Sequence, residues 1–373
     1  MNLNTIDLFC GCGGLSLGLA DAGFNIVAGL DGWKAAVDVY RANNPRHDCF
    51  VFDLRNEADT VEIVRRYNPF LVAGGPPCQD FSTAGSRVEG DRAELTIGFA
   101  RVVVESGAEA FIMENVPRAR LSSTFKKAMR VFRKAGFGMT SVVLNAALCG
   151  VPQARQRLFL IGLKGERDDF LLSSIEEGLS SRPMTVREYD PDLVGFDHYY
   201  RHPRTYQRKA IFSIDEPSPT IRGVNRPKPP TYKMHRNDSH SPSDARVQAL
   251  DLDQRARLQT FPSGYFDISI SKADKEQMIG NAVPPLLARF VAAALLDYAS
   301  TRPRLTEIVP IEVQAARMAE AIYLHTVSRK DRFDAIGRGY EITDSMNPKI
   351  VSDVYSILAR LGNNRQKWPA AAE

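Results

Sequence analysis

Through its first 165 residues the chain alternates short apolar runs with longer segments whose apolar positions recur three or four apart. The runs Thr5–Phe9, Asn25–Leu30, Phe70–Ala73, Ala110–Met113, Ser141–Asn145 and Leu158–Leu163 predict strands. The intervening segments Leu15–Ala22, Trp33–Asn43, Val61–Tyr67, Ile97–Glu105 and Phe125–Lys134 predict amphipathic helices. Gly23 and Gly136 fall where two of these helices should stop. Such a rhythm implies an α/β fold with a parallel sheet covered on both faces.

The pattern changes after about Gly165. Between Arg201 and Arg236 nine Lys/Arg stand against Asp215 and Glu216, a net charge of +7. Six prolines break regular structure there, and Tyr199, Tyr200, Tyr206, Phe212 and Tyr232 are interleaved. This composition suits a surface that grips phosphates and reads bases, or else a solvated linker. Helical patterning returns at Asp253–Gln259 and Pro285–Ala299, and two further helices are expected at Val313–Thr326 and Lys349–Leu361.

Composition narrows the picture modestly. A chain of 373 residues, 44% apolar, has room for one large domain and a smaller one. The net charge of +4 permits a nucleic-acid partner without demanding one. Five scattered cysteines and a first apolar run interrupted by Asp7 and Cys10 fit a reduced cytosolic compartment. No run reaches the ~20 apolar residues of a membrane helix, and no second Cys/His pair completes a zinc site with Cys10 and Cys12. No membrane and no metal are therefore expected.

The candidate chemistry sits at predicted strand ends. Gly74-Gly75-Pro76-Pro77-Cys78-Gln79 places one cysteine on a rigid turn after an apolar strand, either as a nucleophile or as a small buried hydrophobe. Glu114 ends another strand, so a parallel sheet would set it on the same edge as Cys78. Asp7-Leu8-Phe9-Cys10-Gly11-Cys12-Gly13-Gly14 turns from the first strand toward a helix, and Asp31 closes the second strand, suited to ribose hydroxyls. Ser16 stands where a dinucleotide fingerprint has its third glycine, which disfavours a nicotinamide enzyme. Asp53 is either a partner for an adenine amine or an ordinary loop aspartate. Arg155 and Arg157 alternate into a strand and could hold an anion or carbonyl on one face.

Together these blocks resemble the bacterial-type DNA (cytosine-5) methyltransferase family. The matching segments are the glycine loop at 7–18, Pro76-Pro77-Cys78-Gln79, Glu114-Asn115-Val116, Gln153-x-Arg155-x-Arg157, Arg257-Leu258-Gln259-Thr260-Phe261-Pro262 and Gly280-Asn281-Ala282-Val283-Pro284-Pro285, in the family's order across residues 7–299. The resemblance implies a Rossmann-like S-adenosylmethionine-dependent methyltransferase domain with a mainly parallel sheet, plus a smaller target-recognition domain. The implied divisions are 1–164 and 263–300 for the catalytic domain, 165–262 for the small domain, and 301–373 for a helical extension.

It further implies that a cytosine is flipped from the duplex, that Cys78 adds to C6, and that C5 receives the methyl group, leaving S-adenosylhomocysteine. Glu114 would act on N3 and the exocyclic amine, Arg157 on O2, and Arg155 would help to position loop and base. Cofactor contacts are implied for Phe9, Gly11, Gly13, Gly14, Leu15, Asp31, Asp53, Leu54, Pro76, Asn281, Ala282 and Val283. Asp31-Gly32 stand where the family often has Glu-Trp, with Trp33 one place later, at the adenine or in the core. DNA contacts are implied for Gln79 and Ser82 and expected from the basic segment at Arg201, Arg204, Arg222, Arg226 and Lys228. The implied partner is double-stranded DNA, with a monomer in the bacterial cytosol expected; the biological setting is left open between pairing with a cognate restriction endonuclease acting on the same site, a solitary enzyme and a phage-borne one. Two other readings keep the same scaffold: a tRNA cytosine-5 methyltransferase, whose typical Cys-Phe-Thr tripeptide is not found here, and a catalytically dead binding protein.

Overall fold

The computed structural model describes residues 2–77, 91–203, 205 and 208–301. Cys78, Gln79, Ser82, Arg204 and the extension beyond Thr301, with its two expected helices, lie outside the described residues.

The amino-terminal half alternates β1 (Asn4–Leu8), α1 (Gly14–Asp21), β2 (Asn25–Asp31), α2 (Lys34–Asn43), β3 (Asp48–Val51), α3 (Glu57–Arg66), β4 (Leu71–Gly74), α4 (Asp91–Ser106), β5 (Ala110–Asn115), α5 (Ser123–Lys134) and β6 (Phe137–Asn145). Then come β7 (Gln153–Ala154), β8 (Gln156–Lys164), α6 (Leu172–Gly178), α7 (Val186–Tyr189), β9 (His198–Tyr200), β10 (Ile211–Ser213), β11 (Ser218–Pro219), α8 (Leu252–Leu258), α9 (Lys272–Asn281) and α10 (Pro285–Thr301). Seven strands form one sheet in the order β3-β2-β1-β4-β5-β8-β6. The order reverses between β1 and β4, the switch point outside which α/β sheets bind ligands.

The sheet is mainly parallel, as expected, and one strand departs from that direction. β8 runs antiparallel to both β5 and β6. Only residues 146–155 separate β6 from β8, too few for the helical crossover a parallel pair requires. The reversal has a chemical consequence. β8 starts at the edge where β1, β2, β4 and β5 end, so Arg157 enters beside Asn115, whose register partner is Leu158.

Gly23 and Gly136 follow the carboxyl ends of α1 and α5 with φ of 108° and 84°, the left-handed conformation that a helix stop needs. Apolar side chains fill both faces of the sheet. One face packs Leu15 and Leu19 of α1 and Leu287, Val291 and Leu295 of α10. The other packs Val61 and Val64 of α3, Phe99 and Val103 of α4, and Phe125 and Phe132 of α5. Residues 272–301 include a window apolar enough to cross a bilayer, but α10 buries Leu287, Ala288, Val291 and Leu295 in that core.

The basic segment also differs from expectation. Tyr199 and Tyr200 are fully buried and Tyr232 nearly so; Tyr200 and Tyr232 pack with Ala210, Ile211 and Val247 in a small core. These rings build the region and are not displayed to stack on bases. Tyr206 lies outside the described residues. β11 pairs with β7, Ser218 opposite Gln153, and so stitches this region to the Gln-x-Arg-x-Arg segment.

Candidate active site

A cavity of about 790 Å³ opens at the carboxyl edge of the sheet. Its walls bring together Phe9, Gly11, Gly14, Leu15, Asp31, Asp53, Leu54, Pro76, Asn281, Ala282 and Val283, along with Glu114 and Arg157. Gly13 lies one shell behind, where a Cβ would come within 2.9 Å of the Tyr265 hydroxyl. The same wall includes Phe52, Arg55, Leu95 and Met278, which the sequence reading did not single out. Phe52 follows the short strand β3, and its link to the site comes with that strand; nothing in the local pattern marks Met278.

The glycine loop fits its place for steric reasons. Phe9 adopts φ 61°, a strained conformation for a bulky residue, at the point where β1 turns into the cavity. A Cβ on Gly14 would meet the Val283 carbonyl at 2.4 Å, so only glycine lets the Asn281–Val283 segment close against the loop. Tyr265 donates to the Cys12 carbonyl at 2.8 Å from the far side.

Asp31 accepts from the Gly11 amide through Oδ2 (2.9 Å) and from the Trp33 amide through Oδ1 (2.7 Å). Burial raises its pKa despite these bonds. The carboxylate thus fixes the loop and keeps lone pairs turned to the cavity. Asp53 is exposed, and Arg55 at 2.5 Å holds its carboxyl down at about 2. Trp33 lines the cavity and also packs, partly buried, against the cluster that includes Ala36, Val39, Ala256 and Leu258.

Glu114 and Arg157 meet at the opposite wall, Nε to Oε1 at 2.8 Å, with side chains 12% and 15% exposed. Burial pushes the Glu114 carboxyl above its ordinary value, while the positive charges of Arg157 and Arg155 draw it partly back. A carboxyl in this balance can exchange a proton with a ring nitrogen. Gly75 runs beside it, since a Cβ there would lie 3.1 Å from Glu114 Oε2. Asn115 donates to the Pro76 carbonyl at 3.2 Å and accepts from Val116 at 2.8 Å, so the turn leading to position 78 is fastened to the end of β5.

Arg155 stands apart from the cavity, contrary to its expected place beside loop and base. It is fully buried, and its guanidinium donates to the carbonyls of Ile221 (3.1 Å), Gly280 (3.1 Å) and Ala282 (2.9 Å). It does not share a strand face with Arg157, because the chain kinks between β7 and β8. Gln153 donates to Gln259 Oε1 (2.8 Å) and accepts from the Ile221 amide (2.9 Å). Gln259 in turn donates to the carbonyl of Ile279. Three of the sequence blocks therefore form one buried polar network behind the cavity.

Among the expected DNA contacts, Arg201, Arg222 and Arg226 converge on His202, whose pKa is lowered by burial and then by these charges. Arg201 donates to the Thr220 carbonyl and Arg222 to that of His202. Lys228 donates to the Pro242 and Asp244 carbonyls, which braces the loop. Arg226 is exposed.

The cavity fits S-adenosylmethionine. Its size lies in the range of small-molecule sites, and it combines apolar walls from Phe9, Leu15, Phe52 and Leu54 with the carboxylates of Asp31 and Asp53.

Comparison with known proteins agrees. The family model for C-5 cytosine-specific DNA methylase matches residues 3–297. Type II methyltransferase M.HindV of Haemophilus influenzae is 46% identical over 297 residues, 79% of this chain and 97% of that one. Type II methyltransferase M.HgiDI of Herpetosiphon aurantiacus is 46% identical over 309 residues, 82% and 98% of the two chains. In fold, the crystal structure of the S. pombe Dnmt2 methyltransferase is similar at a TM-score of 0.59 and 16% identity, covering 79% of this chain and 98% of that one. With a sheet edge, a cofactor-sized cavity and six ordered sequence blocks in agreement, the chain belongs to the C-5 cytosine-specific DNA methylase family, S-adenosylmethionine-dependent enzymes that methylate DNA cytosine at C5.

Proposed function

We propose that this protein methylates one cytosine within a specific duplex sequence, with Cys78 as the nucleophile and Glu114 and Arg157 as its partners on the base. The observation that carries the assignment is the Glu114–Arg157 pair at 2.8 Å, in a cavity whose rim includes Pro76 and Pro77. Burial pushes the thiols of Cys12 and Cys149 up to about 12, so both stay protonated and behave as small apolar side chains.

In this reading the Cys78 sulfur bonds to C6 of an extruded cytosine. Glu114 supplies a proton to N3, and Arg157 donates to O2, so the electron pair released into the ring makes C5 nucleophilic. Bound S-adenosylmethionine supplies the electrophilic methyl group. Loss of the C5 proton to water then expels the Cys78 thiolate, which breaks the S–C6 bond; N3 returns its proton to Glu114, and the aromatic ring is restored. Asp31 and the glycine loop hold the adenosyl part, and Asp53 accepts from the adenine amine. Arg155 serves as a positioning residue for the 280–282 wall.

Residues 165–262 would form the target-recognition domain, with Arg201, Arg222 and Arg226 on phosphates; Gln79 and Ser82 would complete the DNA contacts from the catalytic loop. We infer a cytosolic monomer paired with an endonuclease of the same specificity; the support for a modification role is that two relatives are named as Type II methyltransferases. The test is transfer of labelled methyl from S-adenosylmethionine to duplex DNA and, separately, to tRNA. Incorporation into DNA alone is expected, and Cys78→Ala should abolish it while cofactor binding persists. Full turnover by that variant would overturn the mechanism, and incorporation into tRNA alone would overturn the substrate.

A further inference from the structure

Immediately beyond the catalytic carboxylate, residues 117–134 carry seven basic side chains and no acidic one: Arg118, Arg120, Lys126, Lys127, Arg130, Arg133 and Lys134. This equals the net charge of the 201–236 segment in half the length. All seven are exposed, while Phe125, Ala128 and Phe132 anchor the other side of α5 in the core. Arg118 stands two residues past Val116, which lines the cavity.

Helix stability does not account for this arrangement. Lys126 closes the first turn of α5 and Lys127 opens the second, near the end where the helix dipole disfavours cations. Lys126 with Arg130, and Arg130 with Lys134, are like charges four residues apart, which repel. Arg133 pairs with Asp168 at 2.8 Å and Met139 donates to the same carboxylate, so the far end of the stripe has its own structural partner. Among the described residues, no such ion pair accounts for the charge of the near end, toward the catalytic edge. Leu121 adds a second unbalanced feature there, an apolar side chain 71% exposed between Arg120 and Ser122.

We propose that Arg118, Arg120, Lys126, Lys127 and Arg130 form a second DNA-backbone surface, on the catalytic domain and separate from the basic segment at 201–236. α5 leads from the carboxyl edge of β5 back toward the start of β6, so its first turns sit at the edge where the target base must enter. Duplex flanking the flipped cytosine would be held there through its phosphates, without sequence preference, while the other basic region holds the opposite flank. Two separated grips on one duplex would also offset the cost of unstacking the base between them.

The inference rests on duplex DNA being the substrate. The experiment compares the unaltered protein with the Lys126→Gln/Lys127→Gln/Arg130→Gln variant on a 30-bp duplex of arbitrary sequence, across a series of salt concentrations. Affinity at low salt should fall about tenfold or more. The slope of log affinity against log salt should become shallower by about two to three, near 0.9 for each lost phosphate contact. S-adenosylmethionine affinity and the unfolding midpoint should be unchanged, and Lys126→Arg/Lys127→Arg should bind as the unaltered protein does. An unchanged slope, with or without weaker binding, would overturn this surface alone. No duplex binding by the unaltered protein would overturn the DNA reading as well.

Discussion

Ser16 occupies the place of a third glycine, and the structure gives it work that glycine could not do. Its hydroxyl donates to Asp7 Oδ2 at 2.6 Å and accepts from the Tyr40 hydroxyl at 3.1 Å. Tyr40 also contacts His47 Nδ1 at 3.2 Å, so His47 must be the donor if Tyr40 donates to Ser16. This chain ends on Asp7, which is fully buried and lies on β1 directly beneath the glycine loop. Burial pushes its carboxyl up to about 7, the Asp31 charge adds to that, and the Ser16 hydroxyl opposes it. Since the folded pKa is raised, the folded state retains a proton that the unfolded chain has lost between about pH 4 and 7. Stability must therefore fall as pH rises through that window and level off above it. Between pH 5 and 8 this single group should remove on the order of 2–3 kcal/mol of unfolding free energy. Asp7→Asn should flatten that part of the profile, as measured by urea unfolding at several pH values. Parallel profiles for the two proteins would show that Asp7 ionises normally.

At the scale of elements, the two arginines of one short motif divide the labour of the site. Arg157 faces the cavity from the start of β8, and Arg155 holds three carbonyls from two other segments. Arg155→Ala would leave those carbonyls buried without this donor, at about 1–3 kcal/mol each, so a loss of at least about 3 kcal/mol is expected. Arg157→Ala should instead abolish turnover with a much smaller effect on unfolding, because Glu114 can take up a proton once its partner is gone. Urea titration and methyl transfer on both variants would separate the roles, and equal destabilisation would contradict them. The sequence made the motif visible but not this division. Alternating positions suggest one strand face, whereas the kink between β7 and β8 turns the two side chains apart. The same limit applies to elements without an apolar stripe. α9 buries only Met278, Ile279 and Gly280 of its ten residues, so its helical period leaves little trace in the sequence. β6 starts four residues before the apolar pattern suggests, because Gly138 looks like a turn. It is glycine for another reason: the Glu166 carbonyl would sit 2.2 Å from a Cβ there. β1, β2, β4, β5 and β8 were legible because burial on both faces leaves near-continuous apolar runs.

At the scale of the molecule, the cavity is closed by parts of the chain that are far apart in sequence. Residues 9–12, Gly14 and Leu15 form one wall, and Met278 with residues 280–283 forms another. Gly14 lets them touch, and Arg155 and Gln259 hold the second wall from behind. A ligand that fills this space contacts both ends of the catalytic fold, so its binding energy resists separation of either wall. At one hundred times its dissociation constant, S-adenosylmethionine should raise the unfolding free energy by about 2.7 kcal/mol. That increment follows from binding alone; where the protection falls depends on the architecture. Amide exchange should slow together in residues 9–15, 31–33 and 278–283, and Arg155→Ala should weaken the protection of 278–283 more than that of 9–15. Protection confined to the amino-terminal loop would mean that the return segment supports the fold but does not close the cofactor site, and the 790 Å³ cavity would then be only partly the cofactor's.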